Sequence, residues 1–384
     1  MKAVTFQRFL SRPRLQRRKF HIFVPLVIMK DKERKEQKCK TRAIGAGRRR
    51  RSMKRILLIG TGGTIASEMT SEGLSPELTP AQLLRYVPAV EKLCRVDFLS
   101  LFSIDSTNIT PAHWLSVAAA LRENYDRYDG FVISHGTDTM AYTAAALSYL
   151  VQGAEKPIIL TGAQKPINYD STDSKLNLYD AFVCACSEKI HGVNIVFSGR
   201  VITGTRARKT CSKSYAAFSS INYPDIGTLL DGRLMCYIES AFRPSPLFSD
   251  ELDANVGLIK MIPGTDFELM EFLLARKDAV VMECFGVGGL PSYSDDKLFE
   301  VIRRHTAAGK FIVVTTQVQN EGSDLSVYSV GHRLKENRGV LEAYDMTSEA
   351  ALAKIMWILA QTKDPAEVER RFYTPVGNDM LYRG

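Results

Sequence analysis

The sequence predicts an α/β protein of two domains with mainly parallel sheets, a larger domain followed by a smaller one. Three observations carry this. At 384 residues the chain accommodates two domains of the usual size, about 100–200 residues each. Short, continuous apolar runs alternate with helical stretches, which is the pattern of strands buried on both faces of a parallel sheet. The alternation breaks once, at a polar stretch with two prolines after Ser240, and then resumes. Hydrophobic residues make up 45% and charged residues 24% of the chain, a globular rather than disordered composition.

The first 52 residues stand apart. They hold 18 Lys/Arg against 3 Asp/Glu, leaving 33 basic and 39 acidic groups for the rest. Such dense like charge cannot bury enough apolar surface to offset ordering entropy, so residues 1–52 are expected to be a disordered extension or a non-native start. Met53 opens Met-Lys-Arg-Ile-Leu-Leu-Ile-Gly, a natural beginning for an α/β domain, and a chain starting there is expected to fold and keep its activity. The net charge of +9 therefore belongs to the extension, and the mildly acidic body offers no case for a nucleic-acid partner. Seven widely spaced cysteines (39, 94, 184, 186, 211, 236 and 284) include no C-x-x-C. Neither a zinc site nor a disulfide framework is expected, and reduced thiols suit a cytoplasmic protein. The apolar run Phe23 to Met29 is far short of the about 20 residues that span a bilayer and has no cleavage site after it, so no membrane or secretory role is expected.

Within the body, Ile56–Ile59, Phe131–Ser134, Pro157–Thr161 and Val193–Phe197 read as strands, and Thr139–Val151 as a helix. Residues 53–242 form the first domain on this reading and 243–256 a linker, with Arg243-Pro244-Ser245-Pro246 at its start. Residues 257–384 form the smaller domain, with strands at Gly257–Ile262, Ala279–Cys284 and Phe311–Thr316 and helices near Asp295–His305 and Ser348–Ala360.

Two turns after strands carry the chemical interest. Gly60-Thr61-Gly62-Gly63-Thr64 lets a ligand approach main-chain N–H groups closely. Ile65 stands where a dinucleotide fingerprint needs its third glycine, and no Gly-Lys-Ser/Thr follows, so neither nucleotide motif is met. What remains is a turn whose threonines either bond their own backbone or present two hydroxyls to a ligand. The second turn is Ser134-His135-Gly136-Thr137-Asp138-Thr139-Met140. Asp138 there is either a helix N-cap or a carboxylate able to hold a ligand ammonium group, beside helix N–H groups that polarise an oxygen. No G-x-S-x-G turn supplies a serine for His135, which is read as structural. A hydroxyl nucleophile needs a proton acceptor, and a tuned lysine can serve. Lys209, in Thr205-Arg206-Ala207-Arg208-Lys209-Thr210, is one candidate, although by itself the segment reads as a solvated basic loop.

Thr61-Gly62-Gly63-Thr64-Ile65-Ala66 and His135-Gly136-Thr137-Asp138-Thr139-Met140 together resemble the paired motifs of the bacterial-type L-asparaginase family, closest to its cytoplasmic type I branch. The resemblance runs from about Met53 to near the C-terminus. It implies hydrolysis of L-asparagine to L-aspartate and ammonia without cofactor or metal. Carried over position by position, Thr64 is the implied nucleophile, and Thr137, Lys209 and Asp138 form the implied proton-handling group. Asp105, Ser106 and Thr107 resemble the segment that binds the substrate's α-carboxylate, while Thr137 and Asp138 also contact substrate, Asp138 at the α-ammonium.

Two departures from the family pattern matter. Leu74, in Glu72-Gly73-Leu74-Ser75-Pro76, stands where many members have a loop tyrosine. Val318 replaces the cysteine of type I members with an effector site, so allosteric control by asparagine is not expected. Cys284-Phe285-Gly286-Val287-Gly288-Gly289 resembles a loop lent to a neighbouring subunit's site, which implies a homodimer or homotetramer. Two alternatives on the same fold are an amidase subunit supplying ammonia for tRNA-dependent amidation and a non-catalytic amino-acid sensor. The sensor has no need of a proton-relay lysine.

Overall fold

The computed structural model of the protein describes residues 53–70, 73–291 and 297–382. The basic extension expected over residues 1–52 lies outside them, as does Glu72 of the loop after the first motif. Eight strands form the larger sheet: β1 (Arg55–Gly62), β2 (Arg95–Ile104), β3 (Gly130–Ser134), β4 (Pro157–Thr161), β5 (Gly192–Phe197), β6 (Arg200–Thr203), β7 (Gly227–Leu230) and β8 (Arg233–Cys236). Their order is β8-β7-β6-β5-β4-β3-β1-β2. From β2 to β5 every pairing is parallel, while β5 to β8 run antiparallel. Tight two-residue turns build that antiparallel edge. Ser198-Gly199 and Asp231-Gly232 all take positive φ (50°, 73°, 50° and 70°), the requirement of the hairpin turn that matches strand twist.

The strands of the parallel part are apolar on both sides because both faces are covered. Leu57, Ile59, Phe131 and Ile133 pack with helices α1 (Pro111–Asn124) and α2 (Met140–Leu150). Ile56, Leu58, Val132 and Ile159 pack on the other face with α3 (Ser174–Ala185). The chain reverses direction of travel between β1 and β3, since β2 lies on one side of β1 and β3 on the other. In open α/β sheets that switch point, at the carboxyl ends of the strands, is where ligands bind.

The smaller sheet, β9 (Val256–Lys260), β10 (Ala279–Cys284), β11 (Phe311–Thr316) and β12 (Val340–Glu342), is parallel and in sequence order. Helix α4 (Ser348–Leu359) covers one face, and its Ala350, Ile355 and Ile358 belong to the same apolar core as Ala144 and Leu147 of α2. The second face packs with helices Phe267–Arg276 and Lys297–Ala307. The polar stretch between the two sheets contains a two-residue strand, Leu247–Phe248, paired with Val151–Gln152 at the end of α2. A buried ion pair crosses the shared core: Lys354 Nζ lies 2.7 Å from Asp379 Oδ2, and Tyr149 donates to the same oxygen at 2.8 Å. Among the described residues no helix is long and apolar enough to cross a membrane.

Candidate active site

The turn after β1 is shaped by two glycines. Gly63 has φ 81° and ψ 173°, a conformation essentially reserved for glycine. A Cβ on it would stand 2.3 Å from Gly136 N, so the turns after β1 and β3 touch main chain to main chain. Thr64, the next residue, is half-buried and opens a 3-10 turn, Thr64–Ala66. Among the described residues its hydroxyl makes no hydrogen bond. Thr61 follows neither of the two alternatives the sequence leaves open for the turn's threonines. Its Oγ1 donates 2.8 Å across to Ser134 O of β3, locking the two strand ends together.

The end of β2 joins the same rim. Gly63 N donates to Ile104 O at 3.1 Å. Beyond it Asp105 Oδ1 accepts from both Thr107 N and Thr107 Oγ1 at 2.8 Å. Ser106 is buried against Gly136, where a Cβ would lie 2.5 Å from its Oγ, and its carbonyl accepts from Thr139 Oγ1 at 2.8 Å. Asp105 and Thr107 are exposed.

After β3, Thr137 is buried and Asp138 exposed. The helix that follows is not capped by Asp138: its N-cap is Thr139. The Asp138 carboxylate turns instead to Lys209, whose Nζ stands 2.6 Å from Asp138 Oδ1 and 2.7 Å from Thr137 Oγ1. Lys209 is not in a solvated loop either. It ends the short strand Ala207–Lys209, paired with Phe218–Ser220, and its side chain is 17% exposed against 57% for Asp138. Alternation along that strand sends Arg208 the other way, to within 3.9 Å of Glu283 and 3.8 Å of Glu349 in the smaller domain.

Gln164 belongs to the site and was not anticipated. Thr137 Oγ1 donates to its Oε1 at 3.3 Å. That oxygen is aimed by its own amide, since Gln164 Nε2 donates to Ser214 O at 3.1 Å and Gln164 N to the Asp173 carboxylate at 3.0 Å. Its position just past β4, the next strand along the rim, is the sequence signal that could have found it. His135 lies behind the rim, as its structural reading requires. Burial pushes its pKa down to about 4, and its Nδ1 and Nε2 meet Gly136 O at 2.7 Å and Thr143 Oγ1 at 2.9 Å.

The seven expected site residues thus lie on three adjoining turns and one ribbon strand at the switch point. The rim offers hydroxyls beside an amine and a carboxylate, at the N-terminus of an 11-residue helix, an arrangement able to hold a zwitterion and move protons at a carbonyl. A cavity of about 440 Å³, lined by Gln152, His191, Phe242 and Gly377 among others, sits at the opposite end of the sheet and contains none of these residues.

Comparison with known proteins identifies the family. Two family descriptions match the chain: Asparaginase, N-terminal, over residues 55–241, and Glutaminase/Asparaginase C-terminal domain, over residues 255–372. The chain is 38% identical over 318 residues to the L-asparaginase of Thermococcus kodakarensis, covering 82% of this chain and 96% of that protein. It is 32% identical over 340 residues to a glutamyl-tRNA(Gln) amidotransferase subunit of Pyrococcus horikoshii, covering 85% of this chain and 76% of that one. Among solved structures, the thermostable L-asparaginase from Thermococcus kodakarensis matches with a TM-score of 0.81 at 36% identity, over 86% of this chain and 100% of that one. The L-asparaginase I from Vibrio cholerae matches with a TM-score of 0.76 at 30% identity, over 86% and 100%.

Proposed function

The chain belongs to the asparaginase family, and on that premise we propose that this amidohydrolase cleaves the side-chain amide of free L-asparagine to L-aspartate and ammonia. The observation that carries the reading is the position of Lys209 Nζ, 2.7 Å from Thr137 Oγ1 and 2.6 Å from Asp138 Oδ1, on the rim where the Thr64 turn meets the Thr137 turn. The segment Asp105-Ser106-Thr107 binds the α-carboxylate through hydroxyl and main-chain N–H donors, and Asp138 takes the α-ammonium, which directs the amide toward the threonines. Thr64 Oγ1 attacks the amide carbon, and the carbonyl becomes an oxyanion facing main-chain N–H groups. A threonine hydroxyl titrates far above neutrality, so attack needs a base, and Lys209 takes that proton through Thr137. The proton is then delivered to the departing nitrogen, ammonia leaves, and water releases aspartate from the acyl-threonine. The reaction calls for no metal or cofactor, and the likeness to cytoplasmic-type asparaginases supports a cytoplasmic enzyme working as a homodimer or homotetramer.

Ammonia release by the full chain with L-asparagine, L-glutamine and D-asparagine side by side tests the reading. Turnover with L-asparagine is expected; its absence with all three overturns the proposal. One methylene in a pocket is worth about 1–3 kcal/mol, so a preference of about tenfold or more over L-glutamine is the expected margin.

The likeness to an amidotransferase component favours a second reading, an amidase that supplies ammonia for tRNA-dependent amidation. The chain is 38% identical to the L-asparaginase and 32% identical to the amidotransferase component, which keeps the stand-alone hydrolase as the first reading. Turnover that appeared only with a partner protein and tRNA present would reverse the order.

A further inference from the structure

We propose that a buried hydrogen-bond chain, Trp114–Thr143–His135, fixes the direction of the Thr137 main-chain N–H and so makes it a donor to the oxyanion of the tetrahedral intermediate. Trp114, Thr143 and His135 are positioning residues on this account. The inference rests on the amide hydrolysis proposed above.

The chain has a single possible assignment of protons. A carbonyl oxygen only accepts, so the His135 Nδ1 that lies 2.7 Å from Gly136 O carries a hydrogen. Burial keeps the ring neutral above about pH 4, and a neutral imidazole has one N–H. Nε2 is therefore bare and accepts from Thr143 Oγ1 at 2.9 Å. With its proton given to the ring, Thr143 Oγ1 accepts from Trp114 Nε1, a donor only, at 3.0 Å. Each of these side chains is buried, so every bond is protected from competing water and an unmade one is costly.

The result at the rim follows from peptide geometry. The Gly136 carbonyl points inward to the ring. Across a planar trans peptide the next N–H, that of Thr137, points the opposite way, out of the core. Among the described residues no protein acceptor bonds that N–H. The peptide has little room to rotate, because the Gly63 main chain and the Ser106 side chain both lie against Gly136. Such a donor, aligned before the reaction begins, is what oxyanion stabilisation requires.

Thr143→Val keeps the shape and removes the hydroxyl, while Thr143→Ser keeps the hydroxyl. Losing an oxyanion donor outright typically costs about 100–1000-fold, so losing its alignment is expected to lower kcat for L-asparagine about 10–100-fold. KM should stay within about twofold, since the interaction exists only in the transition state, and Thr143→Ser should restore most of kcat. An unchanged kcat, or a rise in KM alone, overturns the proposal. Should Thr143→Val fail to fold, Trp114→Phe takes its place with a smaller expected loss of about three- to tenfold, and no loss is again the refuting result. The wild-type protein gives an independent check through the 15N shifts of the His135 ring. A protonated Nδ1 with a bare Nε2 is expected between pH 5 and 9, and the opposite tautomer removes the basis of the chain. If the wild type released no ammonia from L-asparagine, the proposed reaction would fail, while the tautomer would still decide whether the chain runs as drawn.

Discussion

The two threonine-bearing turns end neighbouring strands of one sheet, yet they are held in opposite ways. After β3 the side chains of His135, Thr137 and Asp138 all have partners: Thr137 bonds Lys209 and Gln164, Asp138 bonds Lys209, and His135 bonds Gly136 and Thr143. After β1 the position is set mainly by backbone, through Gly62 and Gly63 at φ 98° and 81° and the Gly63–Ile104 hydrogen bond, with the Thr61 and Ser67 hydroxyls bonding main-chain oxygens, and the Thr64 hydroxyl is bonded to nothing among the described residues. In the proposed reaction this is a division of labour. Groups that move protons or meet charge gain from being aligned in advance, whereas the oxygen that forms a covalent bond must be able to swing onto a carbon.

That contrast ranks the expected losses. Thr64→Ala removes the covalent step and should lower kcat about 10,000-fold or more with folding intact, measured as ammonia release alongside circular dichroism. A variant that kept wild-type turnover would move the nucleophile to the other turn. Lys209→Met should cost about 100–10,000-fold in kcat, the range for a general base, measured as ammonia release. Gly63→Ala tests the backbone-held turn by stability instead. Its Cβ meets Gly136 N at 2.3 Å in a conformation alien to L-residues, so a loss of about 2–4 kcal/mol is expected in urea unfolding.

His135 tests the side-chain-held turn. Its ring titrates near 6.5 when unfolded and about 4 when folded. Between those values the unfolded chain binds more protons, so stability falls as pH drops from 6.5 toward 4, by up to about 3 kcal/mol. Urea midpoints at pH 7 and 4.5 should differ less in His135→Gln than in the wild type. The smallest effect is expected from Asp138→Asn. The side chain is 57% exposed, and a screened ion pair is worth about 1 kcal/mol at most. KM for L-asparagine should rise about fivefold, with kcat changed less.

Legibility in the sequence followed the same divide between local and long-range causes. The strands around β1, β3 and β4 could be read because burial on both faces leaves continuous apolar runs, and Thr64, Thr137 and Asp138 could be placed because they end such strands. The antiparallel edge was missed although Asp231-Gly232 is a hairpin signal; the short strands beside it have no comparable apolar run. Local pattern leaves Thr61 and Asp138 open, because the partner of Thr61 is Ser134, 73 residues away, and Lys209, 71 residues from Asp138, enters only through the family resemblance. Lys209 read as a basic loop because its meaning depends on a ribbon folding over the rim. Gln164 drew no attention for a related reason, since an amide in a loop has chemical significance only through what aims it.

The Lys354–Asp379 pair ties the end of the polypeptide to the helix that opens at the catalytic rim, through Tyr149. During synthesis the lysine emerges before its counter-ion exists, and a lone ammonium in an apolar interior costs several kcal/mol. The shared core around α2 therefore closes with its buried charge compensated only once the residues up to Asp379 have left the ribosome, well after α2 itself has been made.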